Sequence, residues 1–221
     1  PEAELVIVKL KPAKKYLRDF YLFPREAEVF QEDDIMLAIA YVLQCAVENQ
    51  MPLSICIGLG TNMGAHRGDG PLSEFINSTA SFNSISIAAG NEGTARHHYL
   101  SGADRQEKTD TVELKVGEQE STRGFSMEFW GDSPNFYNIV IQSPTGERLP
   151  VSTALKYGTQ ELSFVFVETR ILVNYIPIER RTGKTLVFFR FLHPAPGIWK
   201  LLVEERMPAN GGFHIWLPTR D

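Results

Sequence analysis

Apolar and polar residues follow two different rhythms along this chain, and the change falls near residue 100. Before it, short apolar runs alternate with stretches of helical spacing. Leu5-Val-Ile-Val-Lys-Leu10 is a run of the kind that forms a strand buried on both faces. Asp33 and Asp34 stand ahead of Ile35, Ile39, Val42 and Ala46. This acidic first turn and three-to-four spacing predict a helix over 32–49, with Pro52 stopping it. Leu53-Ser-Ile-Cys-Ile-Gly58 reads as a second buried strand, 71–82 as a second helix and Ile85-Ser-Ile-Ala-Ala89 as a third strand. The sum is βαβαβ, which implies a parallel sheet with right-handed crossovers and ligands bound beyond the carboxyl ends of its strands. Those ends are Gly58-Leu59-Gly60 and Gly90-Asn91-Glu92-Gly93.

The later rhythm is all strand. Segments 111–116, 124–130, 137–141, 161–167, 171–176, 185–191, 198–204 and 212–217 are short, rich in Val, Ile, Phe and Trp, and divided by turn residues. Phe125, Met127 and Phe129 alternate with Ser126 and Glu128, and Leu162, Phe164 and Phe166 form a second period-two face, as packing against an opposing sheet requires. Arg181-Thr182-Gly183-Lys184 reads as a hairpin turn. The strand count points to an antiparallel jelly-roll β-sandwich rather than a seven-stranded immunoglobulin-like one. The expected fold class is therefore α/β plus all-β. Its domains span 1–100 and 109–218, joined by the polar run 101–108, which lacks apolar anchors.

Composition narrows the partners. With 43% hydrophobic and 11% aromatic residues in 221, both halves can build cores. Twenty-two basic against twenty-seven acidic residues give a net charge of -5, the wrong sign for a nucleic-acid footprint, and no apolar run reaches membrane-spanning length. Cys45 and Cys56 lie in apolar stretches and read as buried free thiols, not as a disulfide framework.

Several residues invite specific chemistry and are better explained by structure. Gly58, Gly60 and Gly64 give GxGxxxG, not the GxGxxG of a dinucleotide loop, and no acidic residue ends the next strand to hold a ribose. His97 and His98 are adjacent, so their side chains diverge, and no third ligand cluster accompanies them; a polar linker is expected, and no metal or cofactor. Asp132-Ser133-Pro134 lies between strands and reads as a turn. Trp130, Trp199 and Trp216 are expected to pack in the sandwich core rather than form a sugar platform.

Ala88-Ala-Gly-Asn-Glu-Gly93, at the end of the third strand, resembles the oxyanion-hole segment of the subtilisin-like serine proteases, the subtilases. Ile55-Cys-Ile-Gly58-Leu59-Gly60 resembles their S1-wall strand, with Gly58 where members commonly carry Ser. Pro1-Glu-Ala-Glu-Leu-Val-Ile-Val-Lys9 resembles the strand after their catalytic-histidine helix. An all-β segment directly after Gly93 is similar to the arrangement in the clostridial Csp-type germination subtilases, which carry a jelly-roll insertion there. The resemblance implies that Asn91 donates to the oxyanion. It also implies that Gly58, Leu59, Gly60, Ala89 and Gly90 line the cleft for a peptide or protein substrate, and that 219–221 returns toward the first domain. By itself, an Asn between glycines would be an ordinary turn former.

The triad settings Asp-Ser/Thr-Gly, His-Gly-Thr and Gly-Thr-Ser do not occur in 1–221. None of His66, His97, His98, His193 and His214 is followed by Gly-Thr. By the family's order, the aspartate and histidine precede Pro1 and the serine follows Asp221, so the chain is expected to be an internal piece, inactive alone and completed by the remainder of the domain. Three functions follow: part of a serine endopeptidase, a catalytically inactive regulatory relative of the same fold, or a binding module acting through the sandwich. The resemblance also implies a soluble bacterial protein, intracellular or spore-associated.

Overall fold

Three acidic residues, Glu32, Asp33 and Asp34, fill the first turn of the longest helix, where they complement its positive end. The computed structural model containing it describes residues 3–101, 109–154, 158–206 and 211–218. The chain divides into two units. Among the described residues, one holds those up to Thr61 and Ala65–Gly93; the other holds Asn62–Gly64 and those from Thr94 to Pro218.

In the first unit the order is α1 (Lys15–Tyr21), α2 (Glu32–Glu48), β1 (Ser54–Ile57), α3 (Pro71–Ala80) and β2 (Ser84–Ile87). The Gln31 side chain accepts the Lys14 N–H at 2.9 Å and donates to Asp33 at 3.0 Å, which holds the Asp33 carboxyl below its usual range. Asp34 is buried and pairs with Lys11 at 3.0 Å. Pro71 opens α3, where its missing N–H costs nothing, and Glu32 accepts the Leu72 N–H at 2.7 Å, tying α3 to α2. Ile39, Val42 and Ile55 form the buried centre, with Leu72, Phe75, Ile76 and Ile85 packed around it.

The helices at 32–49 and 71–82 and the strands at 53–58 and 85–89 are present, with ends displaced by one or two residues. The first strand is not. Residues 5–10 have no strand partner among the described residues, and Leu5 and Ile7 are 86% and 87% exposed, so the sheet here has two strands and not three. An apolar run becomes a strand only where another backbone meets its N–H and C=O groups. Helix α1 is an addition to the expected elements; Leu22 caps it in the left-handed conformation. Neither cysteine is buried or bridged: Cys45 is half-buried and Cys56 exposed, because β1 alternates and turns Ile55 inward and Cys56 out.

The second unit contains β3 (His98–Leu100), β4 (Thr109–Val116), α4 (Glu118–Arg123), β5 (Phe125–Gly131), β6 (Tyr137–Gln142), β7 (Arg148–Pro150), β8 (Thr159–Ser163), β9 (Arg170–Ile176), β10 (Thr185–Leu192), β11 (Gly197–Glu205) and β12 (Phe213–Trp216). They form a six-stranded sheet, β3-β12-β5-β10-β9-β8, and a four-stranded one, β4-β11-β6-β7, both antiparallel. One core joins them: Met127, Phe129, Phe189, Phe191 and Phe213 from the larger sheet meet Ile139, Ile141, Trp199, Leu201 and Val203 from the smaller. Trp199 packs edge-on against Phe164 and Phe191, and its indole N–H reaches the Ala195 carbonyl at 2.9 Å, so the ring is buried without an orphaned donor. The expected hairpin turn is held by Glu179, whose carboxylate accepts the N–H groups of Arg181 and Thr182. Burial opposes its charge, but the Thr182 and Arg181 donors prevail and keep it below the usual carboxylate range.

All eight expected strands form; β3, β7 and α4 are additional. The crossing between units falls at Gly93–Thr94 rather than after residue 100, because β3 pairs with β12 and buried Ser101 exchanges hydrogen bonds with Phe213. Residues 102–108, which carry most of the expected linker, and 219–221 lie outside the described residues. The alternation expected through Phe166 breaks after Phe164. Glu147 accepts the N–H groups of Val165 and Phe166, lifting them from the ladder, and Phe166 is 74% exposed. Trp199 is a core residue as expected, but Trp130 and Trp216 are not on the core face. In β5 and β12 that face carries Phe129, Phe213 and Ile215, and alternation sends Trp130, His214 and Trp216 to the other side.

Candidate active site

Parallel pairing of β1 with β2 runs in the register Ser54↔Ser84 to Ile57↔Ile87 and is prolonged by the Ala88 N–H reaching the Ile57 carbonyl at 2.9 Å. Both strands therefore end together. Gly58-Leu59-Gly60 and Ala88-Ala89-Gly90-Asn91 leave the sheet side by side, and a Cβ added to Gly60 would stand 3.9 Å from the Ala88 carbonyl oxygen. Beyond that carbonyl, Gly90 takes φ +82°, a conformation open to glycine at little cost, and turns the chain at Asn91.

All of the residues expected at the site except Leu59, which is half-buried, are exposed. Space is free around Gly58 and Gly90, so an extended chain can approach this backbone. The Asn91 side-chain amide has no hydrogen-bond partner among the described residues, which leaves its N–H groups available to an incoming oxygen. What this edge offers is main-chain hydrogen bonding and a neutral amide donor. The side chains of Gly58–Gly60 and Ala88–Asn91 themselves include no nucleophile and no general base.

The remaining chemistry-bearing residues sit elsewhere. Asp132 pairs with Lys184 at 2.7 Å and accepts the Gly212 N–H, and it is a turn residue of the sandwich. Burial works against its charge, yet Lys184 prevails and holds the carboxyl below its usual range. His98 is not a linker residue but part of β3: its Nε2 lies 2.9 Å from His214 Nδ1 and its ring stacks on Trp216 at 3.7 Å. A strand pairing distant in sequence made this cluster, and no local signal could have shown it. Among the described residues no three His, Cys, Asp or Glu side chains come together as a metal site, and no helix is long and apolar enough to cross a membrane.

By alternation alone, Glu128 is an outward polar position in its strand. It is buried, and one carboxylate oxygen accepts the Trp130 indole N–H at 2.8 Å and the Gly64 backbone N–H at 2.7 Å. The available sign was its setting in Phe-Ser-Met-Glu-Phe-Trp-Gly, where large apolar residues stand close on both sides.

No family model matches this chain, and no curated protein does. Among solved structures, its fold is similar to that of the CspB protease of Clostridium perfringens, with a TM-score of 0.76, 24% identity, and 90% of this chain covered. The chain spans 41% of that protein's length, and at this identity the likeness is one of fold.

Proposed function

We propose that this chain is an internal portion of a subtilisin-like serine endopeptidase, carrying the oxyanion donor and one wall of the substrate cleft. The observation that carries the reading is the paired ending of β1 and β2, which sets Gly58–Gly60 beside Ala88–Asn91 at one sheet edge. Its likeness in fold to a clostridial protease supports it. In this reading Gly58, Leu59 and Gly60 line the S1 side and pair with an extended peptide, as do Ala89 and Gly90. The second unit is an inserted jelly roll.

Peptide hydrolysis puts negative charge on the scissile carbonyl oxygen as its carbon becomes tetrahedral, and a fixed amide N–H binds that oxyanion better than the ground-state carbonyl. Asn91 supplies the N–H; Gly90, by turning the chain, directs it. The aspartate, histidine and serine belong to segments outside 1–221. Those segments would also cover apolar side chains that stand exposed in the α/β unit, among them Leu5, Ile7 and Ile87.

The test is Asn91→Ala in the full-length protein. A kcat loss of about 10²–10³ with KM nearly unchanged is expected, a magnitude that is that of subtilisin's own oxyanion asparagine. Thermal stability is measured alongside. A folded variant with wild-type kcat, or one impaired only in KM, makes Asn91 a turn residue. The chain 1–221 alone is expected not to react with a fluorophosphonate; labelling of any of its serines would place the nucleophile inside it. A catalytically inactive relative of the same fold is the alternative reading, since the discriminating triad residues lie outside 1–221; a failure of the full-length protein to label would favour it.

A further inference from the structure

Glu128 lies on the side of the six-stranded sheet away from the core, opposite Phe188 of β10 and Trp216 of β12 in the ladder, and is 8% exposed. A carboxylate so placed is costly unless its oxygens are well satisfied. Here two donors converge on Oε2: the Trp130 indole at 2.8 Å and the Gly64 main chain at 2.7 Å. Hydrogen bonds to an ionised acceptor are stronger than neutral ones. Gly64 meets it with φ +100°, and a Cβ there would touch nothing, so the requirement for glycine is conformational rather than steric.

The position of Gly64 in the sequence gives this bond its meaning. Asn62–Gly64 belongs to the sandwich unit, although only Thr61 separates it from the Gly58–Gly60 segment. A glycine-rich stretch holds an extended peptide in one register better when its far end is fixed. We infer that Glu128 is a positioning residue for the substrate-lining segment: by gripping the Gly64 N–H it fixes where the Gly58–Gly60 loop ends, and so limits the conformations open to it. This rests on the reading of Gly58–Gly60 as a cleft wall. Glu128 touches no substrate and takes no part in proton transfer.

The anchor is tested on the chain 1–221 by amide hydrogen exchange. In Glu128→Ala, exchange at Gly64 is expected to rise by about 10- to 100-fold, the change matching loss of a hydrogen bond to a charged group, with smaller rises over 58–63. The amides paired between β9 and β10 keep their protection. Glu128→Gln, whose carbonyl oxygen can accept both bonds, is expected to restore most of it, and Trp130→Phe to leave Gly64 near wild type. Unchanged Gly64 exchange in Glu128→Ala, or a rise shared equally by the whole sandwich, overturns the anchor. In the full-length protein, Glu128→Ala is expected to raise KM about tenfold with little change in kcat. Faster Gly64 exchange without a KM change overturns the link to substrate. If Asn91→Ala keeps wild-type kcat, the proteolytic reading falls, and exchange still decides whether Glu128 holds the loop.

Discussion

In the sandwich, Phe129, Phe189, Phe191, Leu201 and Phe213 are fully buried, whereas Leu5, Ile7, Val47 and Phe82 of the α/β unit are 75–91% exposed. The same kinds of side chain meet opposite fates because the two units offer different numbers of layers. Two antiparallel sheets give each inward position a facing partner, so the period-two pattern closes on itself. A two-stranded sheet with α2 and α3 covers little more than Ile39, Val42 and Ile55, and two strands are seldom stable without further packing. The difference separates the parts of this chain that satisfy themselves from the part that presents backbone and apolar surface outward. The candidate site lies in the latter.

The largest expected effect is in the sandwich core. Trp199→Ala should destabilise it by about 3–5 kcal/mol, because the fully buried ring leaves a cavity among Phe164, Phe191 and their neighbours. Phe82→Ala, at 91% exposure, should stay within about 0.5 kcal/mol. Chemical denaturation of both variants checks the pair, and equal losses would break the comparison.

Glycines give a second contrast. A Cβ at Gly131 would clash with the buried Tyr137 ring, so Gly131→Ala should cost about 1–3 kcal/mol through overpacking. Gly58→Ala meets nothing within 4 Å and should change stability by less than about 0.5 kcal/mol, which chemical denaturation of both variants checks.

The smallest effect concerns acid. Asp132 is held below its ordinary value of 3.8 by Lys184, against the pull of burial. The folded pKa is the lower one, so the stabilisation is complete above about pH 4 and is lost as pH falls through the folded pKa. With the Asp132 side chain 39% exposed, the increment is expected below about 1 kcal/mol. Asp132→Asn should flatten the acid limb of stability against pH, measured by thermal unfolding between pH 2 and 6; an unchanged slope would assign that limb to other carboxylates.

Much of this was legible before the fold. The spacing of Ile35, Ile39 and Val42 after an acidic turn marks α2, and the alternation of Phe125, Met127 and Phe129 marks a strand packed on an opposing sheet. The glycines and asparagine after the second and third apolar runs single out the candidate site, because few other residues allow such turns and such close backbone approach.

What the sequence by itself determined is local: periodicity, turn chemistry and the division into two rhythms, each set by neighbours a few residues apart. Tertiary structure decided whatever needs a distant partner. Leu5–Leu10 carries the apolar content of a strand but among the described residues no strand lies beside it, and Phe166 continues an alternation until Glu147 takes its N–H away. His98 meets His214 only because β3 pairs with β12. Glu128 looks like any outward-facing acid until Gly64, 64 residues earlier, places an N–H against it. Hydrogen bonds and burial depend on what stands opposite in space, and the order of residues along one segment does not contain that.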